Sequence, residues 1–240
     1  MGGGQGTRRL PGYPSDRHPP GLLHSWAGPA PDRSSPIAPN AGTVAPLPPP
    51  EAAAPHERII AVAREMFCRD GIHATGVDRI LAAAGASKMT LYARFGSKEA
   101  LVRAALRQEG EIWREAFAAK VLAEAEDPQA RLRAIIPALS GWFGGGRFYG
   151  CAFINAVAEH TKGEAWLREL AGEHQRACLD FLEGLVRDAG YAAPADFARQ
   201  LLLLIDGTVA ALMVSGDEGV LRVAARTLDA LLSVEERTPA

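Results

Sequence analysis

Much of what would mark an enzyme, a secreted scaffold or a membrane protein is missing from this 240-residue chain. Its three cysteines, Cys68, Cys151 and Cys178, are odd in number and far apart, which suits neither a disulfide framework nor a Cys-x-x-Cys metal pair. They read as buried small apolar residues in a reducing cytoplasm. Neither sign of charge dominates, with 26 basic against 28 acidic residues, so no bulk field draws the chain to nucleic acid or an anionic surface. No apolar run approaches the ~20 residues that cross a bilayer. The longest, Leu201 to Val214, is interrupted by Asp206 and Gly207. The N-terminus has no signal-peptide apolar stretch, and its basic excess is too weak for an organelle transit peptide. The expected location is the cytoplasm, with no membrane partner.

Fingerprints of catalysis are missing too. Gly144-Gly-Gly146 is not followed by Lys-Ser or Lys-Thr, so it reads as an interhelix turn and not a phosphate loop. There is no Gly-x-Ser-x-Gly elbow and no carboxylate pair with a plausible base. His160 and His174 stand fourteen apart beside Glu159, Glu164 and Glu173, without the His-x-x-x-His spacing of a helical metal site. The expectation is a non-enzyme with no cofactor and no metal.

Composition changes sharply along the chain. Of 17 prolines, 13 lie at or before Pro55, in a stretch without helical or alternating apolar pattern that contains the tract Pro46-Leu-Pro-Pro-Pro50. Residues 1–55 should therefore be a disordered extension. Residues 56–100 carry seven basic against five acidic residues, whereas 101–240 carry fifteen against twenty. Residues 1–55 carry four basic against three acidic, so the larger positive surplus sits at 56–100.

That segment reads as three short helices. Ile59, Ile60, Ala63, Met66 and Phe67 form one apolar stripe on a helix from about Glu57 to Gly71. Thr75, three residues before Asp78, resembles a capping-box start, and Val77, Ile80, Leu81 and Ala84 follow at helical spacing. Gly85 then ends the second helix and Ser87 supplies an N-cap hydroxyl for a third. Two helices joined by about three residues through a glycine are what a helix-turn-helix requires. In the third helix Leu91 and Phe95 face inward. Lys88, Met89, Thr90, Tyr92 and Arg94 fall on or beside the outer surface. Lys88 and Arg94 offer charge, Thr90 and Tyr92 offer hydroxyls, and Met89 can pack on a thymine methyl. Lys98 begins the next helix near the DNA backbone.

Residues 57 to about 105 resemble the DNA-binding domain of the TetR family of bacterial transcriptional regulators. Ser87, Lys88, Thr90, Leu91, Tyr92, Phe95, Ser97 and Lys98 match the family's recognition segment, and Ala74-Thr75, Ile80 and Ala83-Ala84-Gly85 match upstream. Met89 stands where a small residue or proline is common, and Ala93-Arg94 replaces a more usual aromatic or histidine pair. The resemblance implies DNA contacts from Thr75, Ser87, Lys88, Met89, Thr90, Tyr92, Arg94 and Lys98.

The remainder, residues 101–240, is patterned almost wholly as helix. Breaks suggest helices near 98–124, 128–140, 150–161, 164–189, 195–214 and 217–233. The expected fold is all-α, with a helix-turn-helix head at 56–100 and a ligand-binding and dimerisation body at 101–240. Phe197, Leu201, Leu204, Ile205, Thr208 and Leu212 line one C-terminal helix, and Leu221 and Leu228 belong to the stripe of the other. The resemblance implies that these two helices pair with a second copy as a four-helix bundle. The competing reading is that these stripes form the chain's own core. Gly150 to Glu159 resembles a stretch near the family's regulatory pocket. Trp113, Trp142, Phe143, Phe153 and Phe181 are expected to wall an apolar cavity, with Asn155, His160, His174 and Cys178 as its polar contacts.

The expectation is a homodimeric regulator, most simply a repressor, released from a palindromic operator in double-stranded DNA by a small apolar effector, and associated with the nucleoid when bound. The alternative is a small-molecule sensor or helical scaffold that has lost specific DNA binding.

Overall fold

The computed structural model describes residues 53–124, 126–144, 148–160 and 165–235. Residues 1–52, where the disordered extension is expected, lie outside the described residues. Within them the chain is helical throughout: α1 Pro55–Asp70, α2 Val77–Ala84, α3 Lys88–Phe95, α4 Lys98–Glu124, α5 Pro128–Arg133, α6 Ile135–Phe143, α7 Ala152–Glu159, α8 Ala165–Asp188, α9 Pro194–Ser215 and α10 Gly219–Val234.

Local chemistry explains most boundaries. Helix α1 starts two residues before the expected Glu57, because Pro55 suits the first helical position and the Glu57 carboxylate accepts the Ala54 N–H at 2.9 Å. Gly85 takes the left-handed conformation (φ 57°, ψ 44°) that closes α2, and Ser87 Oγ accepts the Thr90 N–H at 3.1 Å to open α3. The single helix expected over 128–140 is two helices that meet at Ala134 and end at Phe143. Pro137 accounts for the break: it has no N–H to donate to Arg133, four residues earlier, and its ring crowds that carbonyl.

Two apolar cores follow. The first joins α1, α2 and α3 to the N-terminal half of α4, around Ile59, Ile80, Leu91 and Leu101, and extends to Phe153 and Ala156 of α7 and Leu167 and Leu170 of α8. The second gathers α4, α5, α6, α8, α9 and α10 around Leu132, Leu139, Leu182 and Phe197. The expected boundary at residue 100 falls inside α4, which continues through it without interruption. Tyr191 closes the lower end of the second core, its hydroxyl donating to the Leu232 carbonyl at 3.1 Å.

The C-terminal helices turn the stripes expected at the interface inward. Phe197, Leu201, Ile205, Thr208, Leu212, Leu221 and Leu228 are buried against the chain's own core, and Leu204 is half-buried against it. Helix α9 packs against both α8 and α10, so its inward stripe is intramolecular, as the competing reading held. It has a second apolar stripe, which faces out. Leu203 (74% exposed), Gly207, Ala210 and Val214 (82% exposed) recur at helical spacing. On α10 Val223, Thr227, Ala230 and Val234 repeat the same intervals on the outer surface. Periodicity alone cannot say which of two apolar faces turns inward. By length and composition α9 also passes as a membrane-crossing helix, with 22 residues and a mean hydropathy of 1.6 over its most apolar window. Asp206 and Gly207 thus interrupt the apolar run without lowering its mean below that range.

Candidate functional site

The head is built outward from a rigid turn. Arg58 on α1 donates to the Ala84 carbonyl at 2.9 Å and to the Gly85 carbonyl at 3.1 Å, fastening the α2–α3 connection to α1. Leu91 is fully buried and anchors α3, and half-buried Phe95 packs beside it. The opposite face is left to solvent: Met89 is 80% exposed, Tyr92 is 50% exposed, and Ser87, Lys88 and Arg94 are exposed as well. Thr90 is half-buried, with its hydroxyl 2.9 Å from Ser87 Oγ. Lys88 Nζ lies 2.9 Å from Asp78 at the start of α2, and this carboxylate raises the lysine's pKa. An eight-residue helix with one buried side and one apolar, hydroxyl-bearing and cationic side is shaped to enter a major groove.

Two expected DNA contacts have other partners. Thr75 has no exposed surface and does not open α2, whose N-cap is Gly76. Its hydroxyl donates to the Gly71 carbonyl at 2.6 Å, closing the α1–α2 turn from within. Lys98 is half-buried, and its ammonium donates to the Ile72 carbonyl at 2.8 Å. Both residues shape the head, because the carbonyls of a tight buried turn need donors.

The amides of the same turn are met from the body. Glu159, the last residue of α7, accepts the Ile72 N–H at 2.9 Å and also the His73 N–H. Burial opposes ionisation of this carboxyl, but the two backbone donors outweigh it and hold its pKa below the usual carboxylate range. No local pattern reveals this role, since Glu159 and Ile72 stand 87 residues apart.

Along α7 lies a cavity of about 490 Å³, between α4, α7, α8 and α9. Trp113, Trp142, Phe153 and Cys178 line it as expected. Phe143 and Phe181 stand back from its wall, packing on Phe148 and Phe117. Asn155 faces away from it and donates to the Tyr149 carbonyl at 2.8 Å, which fixes the loop before α7.

Of the cavity's polar groups, His174 and Cys178 were expected, whereas Asp206 and Glu109 were not. Asp206 projects from α9 into it, burial raises its pKa, and among the described residues no hydrogen bond or ion pair holds its carboxylate. Glu109 is also pushed up by burial, opposed by Arg64 at 2.9 Å. His174 stacks on Phe153 with ring centroids 4.1 Å apart, and burial, with the nearby Arg114 charge, lowers its pKa to about 4. Arg114 donates to its Nδ1 at 2.8 Å, so the neutral ring carries its proton on Nε2, 3.6 Å from Cys178 Sγ. All three cysteines reach the cavity wall. Burial pushes the Cys68 and Cys178 thiols up to about 12 and raises Cys151, so they present neutral sulfur at neutral pH.

Known proteins place this arrangement. Residues 59–105 match the model of the bacterial regulatory proteins of the tetR family. The head thus matches the DNA-binding domain of the TetR family. The HTH-type transcriptional regulator YjdC of Escherichia coli is 28% identical over 138 residues, covering 56% of this chain and 71% of that protein. SCO4454, a TetR-family regulator from Streptomyces coelicolor, superposes with a TM-score of 0.68 at 28% identity, over 75% of this chain and 94% of that one. A TetR-type regulator from Streptomyces avermitilis gives 0.66 at 28% identity, over 78% and 100%. These likenesses support a helix-turn-helix, DNA-binding transcriptional regulator.

Proposed function

We propose that the protein is a cytoplasmic homodimeric repressor that leaves a palindromic operator when a small, mostly apolar effector enters the cavity between α4, α7, α8 and α9. The observation that carries this reading is the placement of α7, which lines the cavity along its length and ends in the Glu159 carboxylate that holds the α1–α2 turn of the head. An effector that moves α7 changes the angle of α3, and effector and DNA then oppose each other through linkage. Ser87, Lys88, Met89, Thr90, Tyr92 and Arg94 are the DNA-facing set. Asp206, a carboxylate without a partner among aromatic walls, favours an effector with one donor or cationic group on an apolar body. The dimer surface is the outward stripe of α9 and α10, where Gly207 and Ala210 let a partner helix approach closely.

Selection of binding sites from a random duplex library tests the reading. An inverted repeat should emerge, with half-site centres about one helical turn or a multiple of it apart, and affinity for it should fall steeply with salt. Leu203→Glu should yield a folded monomer that loses this preference, since one head forfeits the second half-site. Enrichment of no sequence at all would leave the sensor or scaffold reading standing instead.

A further inference from the structure

Apart from the recognition helix and the cavity, one cluster of metal-ligating side chains lies at the junction of the head with α7. His73 in the α1–α2 turn, Glu159 at the end of α7 and His160 directly after it each place a ligand atom within 4.8 Å of the others. We propose that these three residues form a binding site for a borderline divalent cation of the Zn²⁺ type, which clamps the α1–α2 turn to α7.

Three features of the cluster support this assignment. The donor set is two imidazoles and one carboxylate, which suits zinc and its neighbours and not the oxygen-seeking Mg²⁺ or Ca²⁺. His160 is already oriented: its Nδ1–H donates to the Ala156 carbonyl at 2.8 Å, as metal-bound imidazoles do to second-shell carbonyls. His73 Nδ1 stands 3.2 Å from Glu159 Oε1, close to the roughly 3.3 Å that separates two ligands on tetrahedral bonds of about 2.0 Å. The imidazoles of His73 and His160 lie side by side, with centroids 4.3 Å apart and planes tilted by 34°. Some contraction is needed to bring all three donors to bonding distance. The His73 side chain is 59% exposed and free to turn, so it can supply that movement.

The site is invisible to spacing rules because its ligands come from two distant parts of the chain. Only the docking of α7 on the head brings His73 to the Glu159-His160 pair. His174, the residue that sequence spacing pairs with His160, is instead stacked on Phe153 in the cavity wall.

The test uses the full chain with any polyhistidine tag removed, equilibrated with Zn²⁺ alone and passed through gel filtration. Wild type should retain one equivalent of zinc per chain and melt at a higher temperature with zinc than without, because only the native state assembles the site. His73→Ala and His160→Ala should each lower zinc affinity by at least about tenfold and abolish the thermal shift, with unchanged circular dichroism in the absence of metal. Failure of wild type to retain zinc overturns the proposal. So does undiminished retention by either variant.

Discussion

The α1–α2 turn meets the end of α7 and the cavity runs along that helix, and the two treat their polar groups in opposite ways. In the turn, the Gly71 carbonyl has the Thr75 hydroxyl, the Ile72 carbonyl has Lys98, and the Ile72 and His73 amides have Glu159. In the cavity, Asp206 has no partner among the described residues, His174 is held neutral, and Glu109 and Asp206 are both discouraged from ionising. The first region is complete in itself. The second keeps an unmet chemical demand, and sites that cost stability in this way are where ligands bind. Substitution in the turn should therefore destabilise the protein, whereas relief of the cavity's strained groups should not.

The largest expected effect is on pH dependence. His174 has its pKa lowered to about 4 from the ordinary 6.5, so the unfolded state binds a proton that the native state refuses as pH falls through that window. This group's contribution is whole above pH 6.5 and is lost toward pH 4, by at most about 3 kcal/mol, less whatever solvent reaching the ring recovers. Urea unfolding at a series of pH values should show that slope in wild type and its loss in His174→Gln. An identical slope in both would remove His174 from the account.

Next in size is Glu159→Ala, which strips both amide partners from the turn. A cost of about 2 kcal/mol is expected, together with weaker operator binding, because the head is no longer held to α7. Retained stability would show that water replaces the carboxylate without loss and would break the contrast between the two regions. Asp206→Asn should go the other way and raise the melting temperature at pH 7 by about 1–3 °C, a small figure because the carboxylate remains partly solvated. A fall in melting temperature would show that the charge is already satisfied in the native state. Smallest for the fold is Met89→Ala, which should leave stability within about 0.5 kcal/mol while changing base preference in a selected-site assay. An equal loss on operator and random DNA would exclude direct readout by that side chain.

What could be read in advance follows the range of the interactions involved. The start of α3 depends on Gly85 and Ser87 acting on neighbours in sequence, and both behave as their chemistry predicts. The α4 limits, Lys98 and Glu124, were legible from the same kind of local pattern. Thr75 misled because a threonine before a helix looks like a cap, whereas here its hydroxyl is taken by the turn behind it. The α9 stripe misled because the helix is apolar on two sides, and only its packing against α8 and α10 decides which is inner. The roles of Glu159, Asp206 and Arg58 gave no local signal, since their partners or their cavity come from remote segments. The split of α5 from α6 was the exception: Pro137 announced it locally and the apolar pattern hid it.

The ring geometry of the cavity also makes the protein its own optical probe. Trp113 and Trp142 both line the cavity, 5.5 Å apart and edge to face, while Trp166 stands outside its wall under the Arg103 guanidinium. A molecule that displaces water from between the two cavity indoles changes their emission wavelength and their energy transfer, and leaves Trp166 as a steady background. Occupancy can thus be followed by ultraviolet fluorescence without a label, before the identity of any natural occupant is known.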